Sequence, residues 1–188
     1  MIANRVRIIG GQWRRRQLRF PDLPDLRPTP DRVRETLFNW LGQDLAGKTC
    51  LDLYAGSGAL SFEALSRHAS LVVVVERDRK AAAALAENAK TLQASGFELH
   101  CADALQFLAR ESRRFDVVFL DPPFREDALA RLWPILPRLL KDDGQVYVEA
   151  SASVLPPPDW EIVRQGEAGK VHYHLLRHGR AQGDRGTS

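Results

Sequence analysis

Four times between Thr49 and Glu149 a short apolar run gives way to a helical pattern and then to another apolar run, an alternation that restricts the chain to a parallel sheet flanked by helices. The runs are Thr49 to Tyr54, Leu71 to Glu76, Glu98 to Ala102, Asp116 to Leu120 and Gln145 to Glu149. Helices are predicted from the glycine turn after Tyr54 to about Arg67, from Arg79 to about Ser95, over 104–112 and over roughly 127–140, the last interrupted by Pro134 and Pro137. Asp78 is placed to cap the second helix and Gly96 to stop it, with Ala82, Leu85, Ala86, Ala89 and Leu92 as its buried stripe. After Pro156-Pro157-Pro158, Trp160 to Gln165 and Lys170 to Arg177 read as two strands joined by a glycine-containing turn. They are expected to pair antiparallel at one edge, giving seven strands, mostly parallel with an antiparallel last strand.

The N-terminal part follows another pattern. Arg5 to Ile9 alternates polar and apolar, Gly10-Gly11 permits a tight turn, and Gln12 to Phe20 returns as a second extended run, which together predict a β-hairpin. Pro21, Pro24, Pro28 and Pro30 then exclude regular structure until Thr29 can cap, and Pro30 open, a helix with apolar positions Val33, Leu37, Phe38 and Leu41, ended by Gly42 or Gly47. The expected organisation is a basic hairpin and helix over 1–42, an α/β domain over 43–178 and a polar tail over 179–188. With 188 residues, 44% of them hydrophobic, the chain can bury one core unaided. The apolar run Leu71 to Val75 falls far short of the ~18–20 residues that cross a bilayer, and the first residues lack a signal peptide's apolar stretch, so the cytoplasm is the expected location. Cys50 and Cys101 fall in strands expected to be buried, without CxxC spacing, so neither a disulfide nor a metal site is expected.

Charge is distributed unevenly. Residues 1–34 hold Arg5, Arg7, Arg14, Arg15, Arg16, Arg19, Arg27, Arg32 and Arg34 against Asp22, Asp25 and Asp31, a net +6, which leaves −3 on the remainder of a chain whose total is +3. A guanidinium-rich end on an acidic body suits a polyanion, because each guanidinium forks onto phosphate oxygens and displaces counterions. Arg5, Arg7, Arg14, Arg15, Arg16, Arg32 and Arg34 are the candidate nucleic-acid contacts, with Trp13 and Phe20 as interleaved aromatic surface and the other three tryptophans as packing residues. The alternative is a solvated basic arm that aids solubility.

Chemistry concentrates where strands end. Asp52-Leu-Tyr-Ala-Gly-Ser-Gly-Ala-Leu60 puts Gly56 and Gly58 in a strand-to-helix turn, where backbone can approach a nucleotide-bearing ligand. A dinucleotide fold would carry a third glycine near Ser61. Glu76, twenty residues after Gly56, can accept from both hydroxyls of a ribose, which suits NAD and S-adenosylmethionine alike. Asp103, with the Ala104 backbone, can meet an adenine amine or can cap the helix over 104–112. Asp121-Pro122-Pro123-Phe124 follows the next strand into the crevice. A nucleobase amine is a poor nucleophile because its lone pair is delocalised; a carboxylate and a backbone carbonyl accepting its two N–H bonds favour a pyramidal nitrogen with that pair free. Asp121 and the Pro122 carbonyl can do this, the prolines stiffen the turn, and Phe124 can stack on an extruded base. An ordinary Asp-Pro turn is the other reading.

The glycine turn, Glu76, Asp103 and the DPPF tetrad, in this order, resemble the class I S-adenosylmethionine-dependent methyltransferases, and Arg7-Ile-Ile-Gly-Gly-Gln-Trp13 with Arg27-Pro-Thr-Pro-Asp-Arg-Val-Arg-Glu-Thr-Leu-Phe-Asn-Trp-Leu41 resembles the RsmD family within them. The likeness runs from about residue 5 to 178 and includes Gly169-Lys-Val-His-Tyr173. It implies a Rossmann-like sheet, S-adenosylmethionine as cofactor, and methyl transfer to the N2 amine of one guanine in 16S rRNA. The substrate it implies is the small ribosomal subunit or its assembly intermediate, with ribosomal proteins; a monomer is expected independently of the resemblance. By the same resemblance Asp52, Tyr54, Ala55, Gly56 and Gly58 form the cofactor loop, Glu76 binds ribose, Asp103-Ala104 meets adenine and Asp121 to Phe124 is catalytic. The stretch Thr29 to Arg34 lies over the methionine end, where Thr29 is either a cofactor contact or a helix cap. A methyltransferase of adenine N6 in DNA or RNA, a nucleotide-dependent oxidoreductase and a non-enzymatic RNA-binding module are the alternatives; the last two leave the tetrad unexplained.

Overall fold

In the computed structural model, which describes residues 4–24, 26–123 and 128–179, the run Leu71–Glu76 is the second strand from one edge of a seven-stranded sheet. Val72 and Val74 face one apolar cluster and Val73 and Val75 the other, which is why this strand is apolar at consecutive positions. In chain order the elements are β1 (Asn4–Arg7), β2 (Gln17–Phe20), α1 (Asp31–Leu41), β3 (Thr49–Asp52), α2 (Ala59–Ser66), β4 (Leu71–Glu76), α3 (Arg79–Leu92), β5 (Phe97–Cys101), α4 (Ala104–Leu108), β6 (Phe115–Leu120), α5 (Ala128–Leu132), β7 (Leu140–Ala150), β8 (Trp160–Ala168) and β9 (Val171–His178). The sheet order is β5-β4-β3-β6-β7-β9-β8, with β5 to β7 parallel and β9 antiparallel to both its neighbours. The order reverses between β3 and β6, which opens a crevice at their carboxyl ends. One face is covered by residues of α1, α2, α3 and the N-terminal hairpin, the other by α4 and α5. Among the described residues no helix is long and apolar enough to cross a membrane.

Several boundaries differ from the expectation for local reasons. Asp78 caps α3 by accepting from the backbone of Lys80 and Ala81, but the helix stops at Leu92 because Gln93 itself turns left-handed, with φ 51°. Ala86 of the expected stripe is exposed; the buried position is Asn88, whose amide donates to Arg19 O (2.8 Å) and accepts from Arg19 N–H (3.0 Å), clamping β2 to α3. The helix after β5 ends at Leu108, and the Pro134/Pro137 stretch resolves into α5 and a 3-10 turn over Leu136–Leu139. Cys50 is buried as expected, whereas Cys101 is exposed, because it ends the edge strand β5.

The hairpin also closes differently. Gly10-Gly11 is not its two-residue turn; residues 8–16 form a longer loop that docks on α2. The Ile9 and Gly10 N–H groups donate to the Glu63 carboxylate (2.9 and 2.8 Å), the Gln12 N–H to Ser66 O (2.8 Å) and the Trp13 N–H to Ser66 Oγ (2.9 Å). Trp13 packs against the first apolar cluster and Phe20 lies inside it, so neither is free aromatic surface. The remaining tryptophans pack as expected, Trp40 against Tyr173 and Trp133 against Trp160.

Candidate active site at the carboxyl edge

Register sets the site's frame. Asp52 on β3, Phe119 on β6 and Tyr147 on β7 are aligned across three neighbouring strands. Two residues further along, and so on the same face, come Asp121 and Glu149 at adjacent strand ends. Asp121 is half-buried, and among the described residues none donates a hydrogen bond to its carboxylate. Dense surrounding protein and, after it, the charges of Glu149 and Asp52 push its pKa well above the usual carboxylate range. Pro122 is buried and Pro123 half-buried, giving the corner a stiff backbone; Phe124 lies outside the described residues.

Glu149 is the residue sequence reasoning missed. It is 4% exposed, and its Oε1 accepts from Thr29 Oγ1 (2.6 Å) and from the fully buried Tyr147 OH (3.0 Å). Burial raises its pKa against the lowering effect of those two hydroxyls and the Arg34 charge. The signal was present: Val146-Tyr-Val-Glu149 ends an apolar strand in a carboxylate just as Leu71 to Glu76 does. Thr29 therefore does not cap α1; Pro30 occupies the cap position with no side-chain bond, and the Thr29 hydroxyl is directed to Glu149. The segment before α1 forms a strap over this edge, with Leu26 lying above Gly56 and Thr29 bonded to β7.

The two glycines of the turn serve different ends. Among the described residues Gly56 (φ 53°) has only Leu26, 3.8 Å away, near the place a Cβ would occupy, so these residues leave space above the turn. A Cβ on Gly58 (φ 77°) would sit 2.4 Å from Leu85 Cδ2 and 2.9 Å from the Phe62 ring, so the packing of α2 on α3 requires a glycine here. Ala55 and Ala104 are buried, and Tyr54 is half-buried against the second cluster. Glu76 accepts from the Gly56 N–H through Oε2 (2.8 Å) and from the Asp78 N–H through Oε1 (2.7 Å), which fixes its head and leaves each oxygen a further lone pair. Asp103 caps α4 through Oδ1, which accepts from the Leu105 and Gln106 N–H groups (3.0 and 3.1 Å). No described residue donates to its Oδ2, so capping and ligand contact are compatible. Space over the turn, two held carboxylates and these free acceptors suit an adenosine with a ribose diol.

Asp52 supports the turn from inside. It is 2% exposed, Ser61 Oγ donates to its Oδ2 (2.6 Å), and burial pushes its pKa up to about 7. Ser61 thus does more than fill the place of a third glycine. Because the folded carboxyl holds its proton to about 7 and the unfolded one releases it near 3.8, the folded state binds more protons between those values and loses stability as pH rises through them. Asp52→Asn should remove that slope. Thermal melts of both proteins from pH 4 to 8 check it, and parallel profiles would contradict it.

The arginines divide into three groups. Arg5, Arg7, Gln17, Pro28, Thr29, Pro30 and Asp31 line a cleft of about 370 Å3 that shares Thr29 with the site; Arg7 is exposed and pairs with Asp31 (2.6 Å), and Arg32 is exposed on α1. Arg14, Arg15 and Arg16 are exposed on the loop docked at Ser66, the end of α2 remote from the glycine turn by a helix of eight residues, about 12 Å. Arg34 is a correction: it is fully buried, donating to Thr29 O (3.0 Å) and Arg7 O (3.0 Å) and pairing with Asp31 (2.5 Å) and Glu63 (3.2 Å), so it holds the hairpin, strap and α2 together and cannot reach RNA.

This sheet order, with its glycine turn and its acidic corner across the reversal point, defines a class I S-adenosylmethionine-dependent methyltransferase. Residues 6–177 match the family described as Conserved hypothetical protein 95. The chain is 44% identical over 187 residues to ribosomal RNA small subunit methyltransferase D of Escherichia coli, covering 97% of this chain and 94% of that protein, and 40% identical over 180 residues to the protein of the same name from Haemophilus influenzae, covering 92% and 93%. A solved structure described as a putative methyltransferase from Escherichia coli superposes with a TM-score of 0.84 at 42% identity, covering 94% of this chain and 99% of that one. The chain belongs to the RsmD family.

Proposed function

We propose that this protein transfers a methyl group from S-adenosylmethionine to the exocyclic N2 amine of one guanine in 16S rRNA. The observation that carries the reading is Asp121: a desolvated carboxylate with no described donor, at a proline-stiffened corner beside the glycine turn. The turn at Gly56, the Glu76 carboxylate and Asp103-Ala104 would hold the cofactor, which supplies an electrophilic methyl on a sulfonium. Asp121 accepts one N–H of the amine and the Pro122 carbonyl the other, so the nitrogen lone pair is withdrawn from the ring and aimed into the crevice. The surplus proton leaves once the nitrogen is alkylated and acidic, so no strong dedicated base is needed. Phosphates flanking the extruded base meet Arg5, Arg7 and Arg32 beside the cleft, and a more distant stretch of RNA meets Arg14, Arg15 and Arg16. The substrate is the small subunit or its assembly intermediate, with ribosomal proteins, in the cytoplasm, and the enzyme acts as a monomer.

Small subunits from a strain lacking this gene, incubated with methyl-labelled cofactor, should yield labelled N2-methylguanosine by nucleoside mass spectrometry. Label in N6-methyladenosine alone would overturn the base assignment. Because Arg14–Arg16 stand a helix length from the chemistry, reversing all three to glutamate should weaken RNA binding while turnover at saturating substrate is kept. The salt dependence of binding should also flatten, by about one unit of slope for each phosphate no longer neutralised. Unchanged affinity and slope would return these residues to a solubility role.

A further inference from the structure

We propose that Glu149 reads the base: its Oε2 accepts the N1–H of the target guanine, which makes Glu149 the residue separating guanine from adenine. The inference rests on the guanine reading above and extends it to the residue that enforces it. Glu149 ends the strand next to that of Asp121, on the same face, so the two carboxylates stand side by side at the crevice. Its head is fixed rather than mobile, since Thr29 Oγ1 (2.6 Å) and Tyr147 OH (3.0 Å) both donate to Oε1, and among the described residues no donor reaches Oε2. An acceptor on a side chain only 4% exposed, held from two sides and lacking a donor on its second oxygen, is suited to a ligand N–H.

The base's edge matches. Guanine presents the N1–H donor directly beside its N2 amine, whereas adenine presents a bare N1 lone pair beside its N6 amine. With Asp121 and the Pro122 carbonyl on the amine hydrogens, the proposed pose orients the ring so that N1, rather than N3, faces the neighbouring strand β7. A carboxylate there meets a donor in guanine and a repelling lone pair in adenine, so one residue both favours the correct base and rejects the wrong one.

The test uses 2-aminopurine, which keeps the amine but has an unprotonated N1. Once mass spectrometry has located the modified guanine, small subunits are reconstituted with guanine or 2-aminopurine at that position and assayed with wild-type and Glu149→Gln enzyme. The amide can keep its oxygen on Thr29 and Tyr147 while placing N–H groups where Oε2 was. Relative to wild type, E149Q should shift the guanine-to-2-aminopurine rate ratio toward 2-aminopurine by roughly 10- to 100-fold. The comparison of ratios cancels the differing reactivity of the two amines and the missing O6. Equal losses on both substrates would reduce Glu149 to a structural residue and overturn the inference. Should E149Q fail to fold, the wild type suffices: it should bind guanine-bearing subunits more tightly than 2-aminopurine-bearing ones, and equal affinity overturns the inference as well. A wild-type product of N6-methyladenosine defeats both readings, whereas a guanine product with an unshifted ratio defeats this one alone.

Discussion

Replacing Asp121 by alanine should lower single-turnover methyl transfer by roughly 10²–10³-fold, the range seen when one preorganised hydrogen-bonding group is removed from a reacting centre. Cofactor affinity, read by calorimetry, should stay nearly unchanged, because Glu76 and Asp103 stand at other strand ends, on β4 and two residues past β5. The split between rate and affinity is what marks a group acting on the amine. Ionisation adds a second signature. Burial and the charges of Glu149 and Asp52 raise the Asp121 pKa, so the carboxylate form that accepts the amine hydrogen gains population as pH rises, and the wild-type rate should rise with it. Asp121→Asn should lose both the rate and that limb of the profile. Turnover at the wild-type level in the alanine variant would refute the assigned role.

Glu63→Ala should cause the largest loss of stability. Glu63 is fully buried and accepts from the Ile9 and Gly10 N–H groups (2.9 and 2.8 Å), Arg34 Nη1 (3.2 Å) and Arg67 Nε (3.0 Å). Removing the carboxylate takes the acidic partner from Arg67, leaves Arg34 with Asp31 alone, and unpairs two backbone donors at once. Breaking a buried ion pair from one side costs about 3–5 kcal/mol, and for a chain of this length that is a fall in Tm of about 6–20 °C. Since Arg34 also holds the Thr29 carbonyl (3.0 Å), the loss should spread to the strap over the site. Glu63→Gln, which keeps the volume and part of the bonding, should fall between. Denaturant unfolding of the three proteins measures this, and a change below about 0.5 kcal/mol, the usual scale of a surface substitution, would contradict it.

How much of this was readable from residues alone depended on the range of the interaction. Strand-then-helix alternation, the Asp78 cap and the chemistry after each strand are local patterns, and the sheet, the α3 cap and the carboxyl-edge position of Glu76, Asp103 and Asp121 follow them. The N-terminal segment did not yield in the same way. Its arginines share one composition, yet Arg34 is fully buried while Arg32, two residues earlier, is exposed, and partners as distant in sequence as Glu63, 29 positions away, distinguish them. Asn88 meets the Arg19 backbone across 69 residues, and Thr29 meets Glu149 across 120. No periodicity encodes such partners. Gly58 shows a related limit: its place in a glycine turn suggested a ligand, and the further demand of packing against Leu85 is visible only in the fold.

A crystal structure of the protein with S-adenosylmethionine or its demethylated product would decide whether the acidic corner and the glycine turn serve one reaction. The ribose should lie on the Glu76 carboxylate, with the sulfur end facing the Asp121-Pro122 corner beneath the Thr29 strap. Electron density placing the sulfur end away from that corner, or on the opposite face of the sheet, would contradict the assignment.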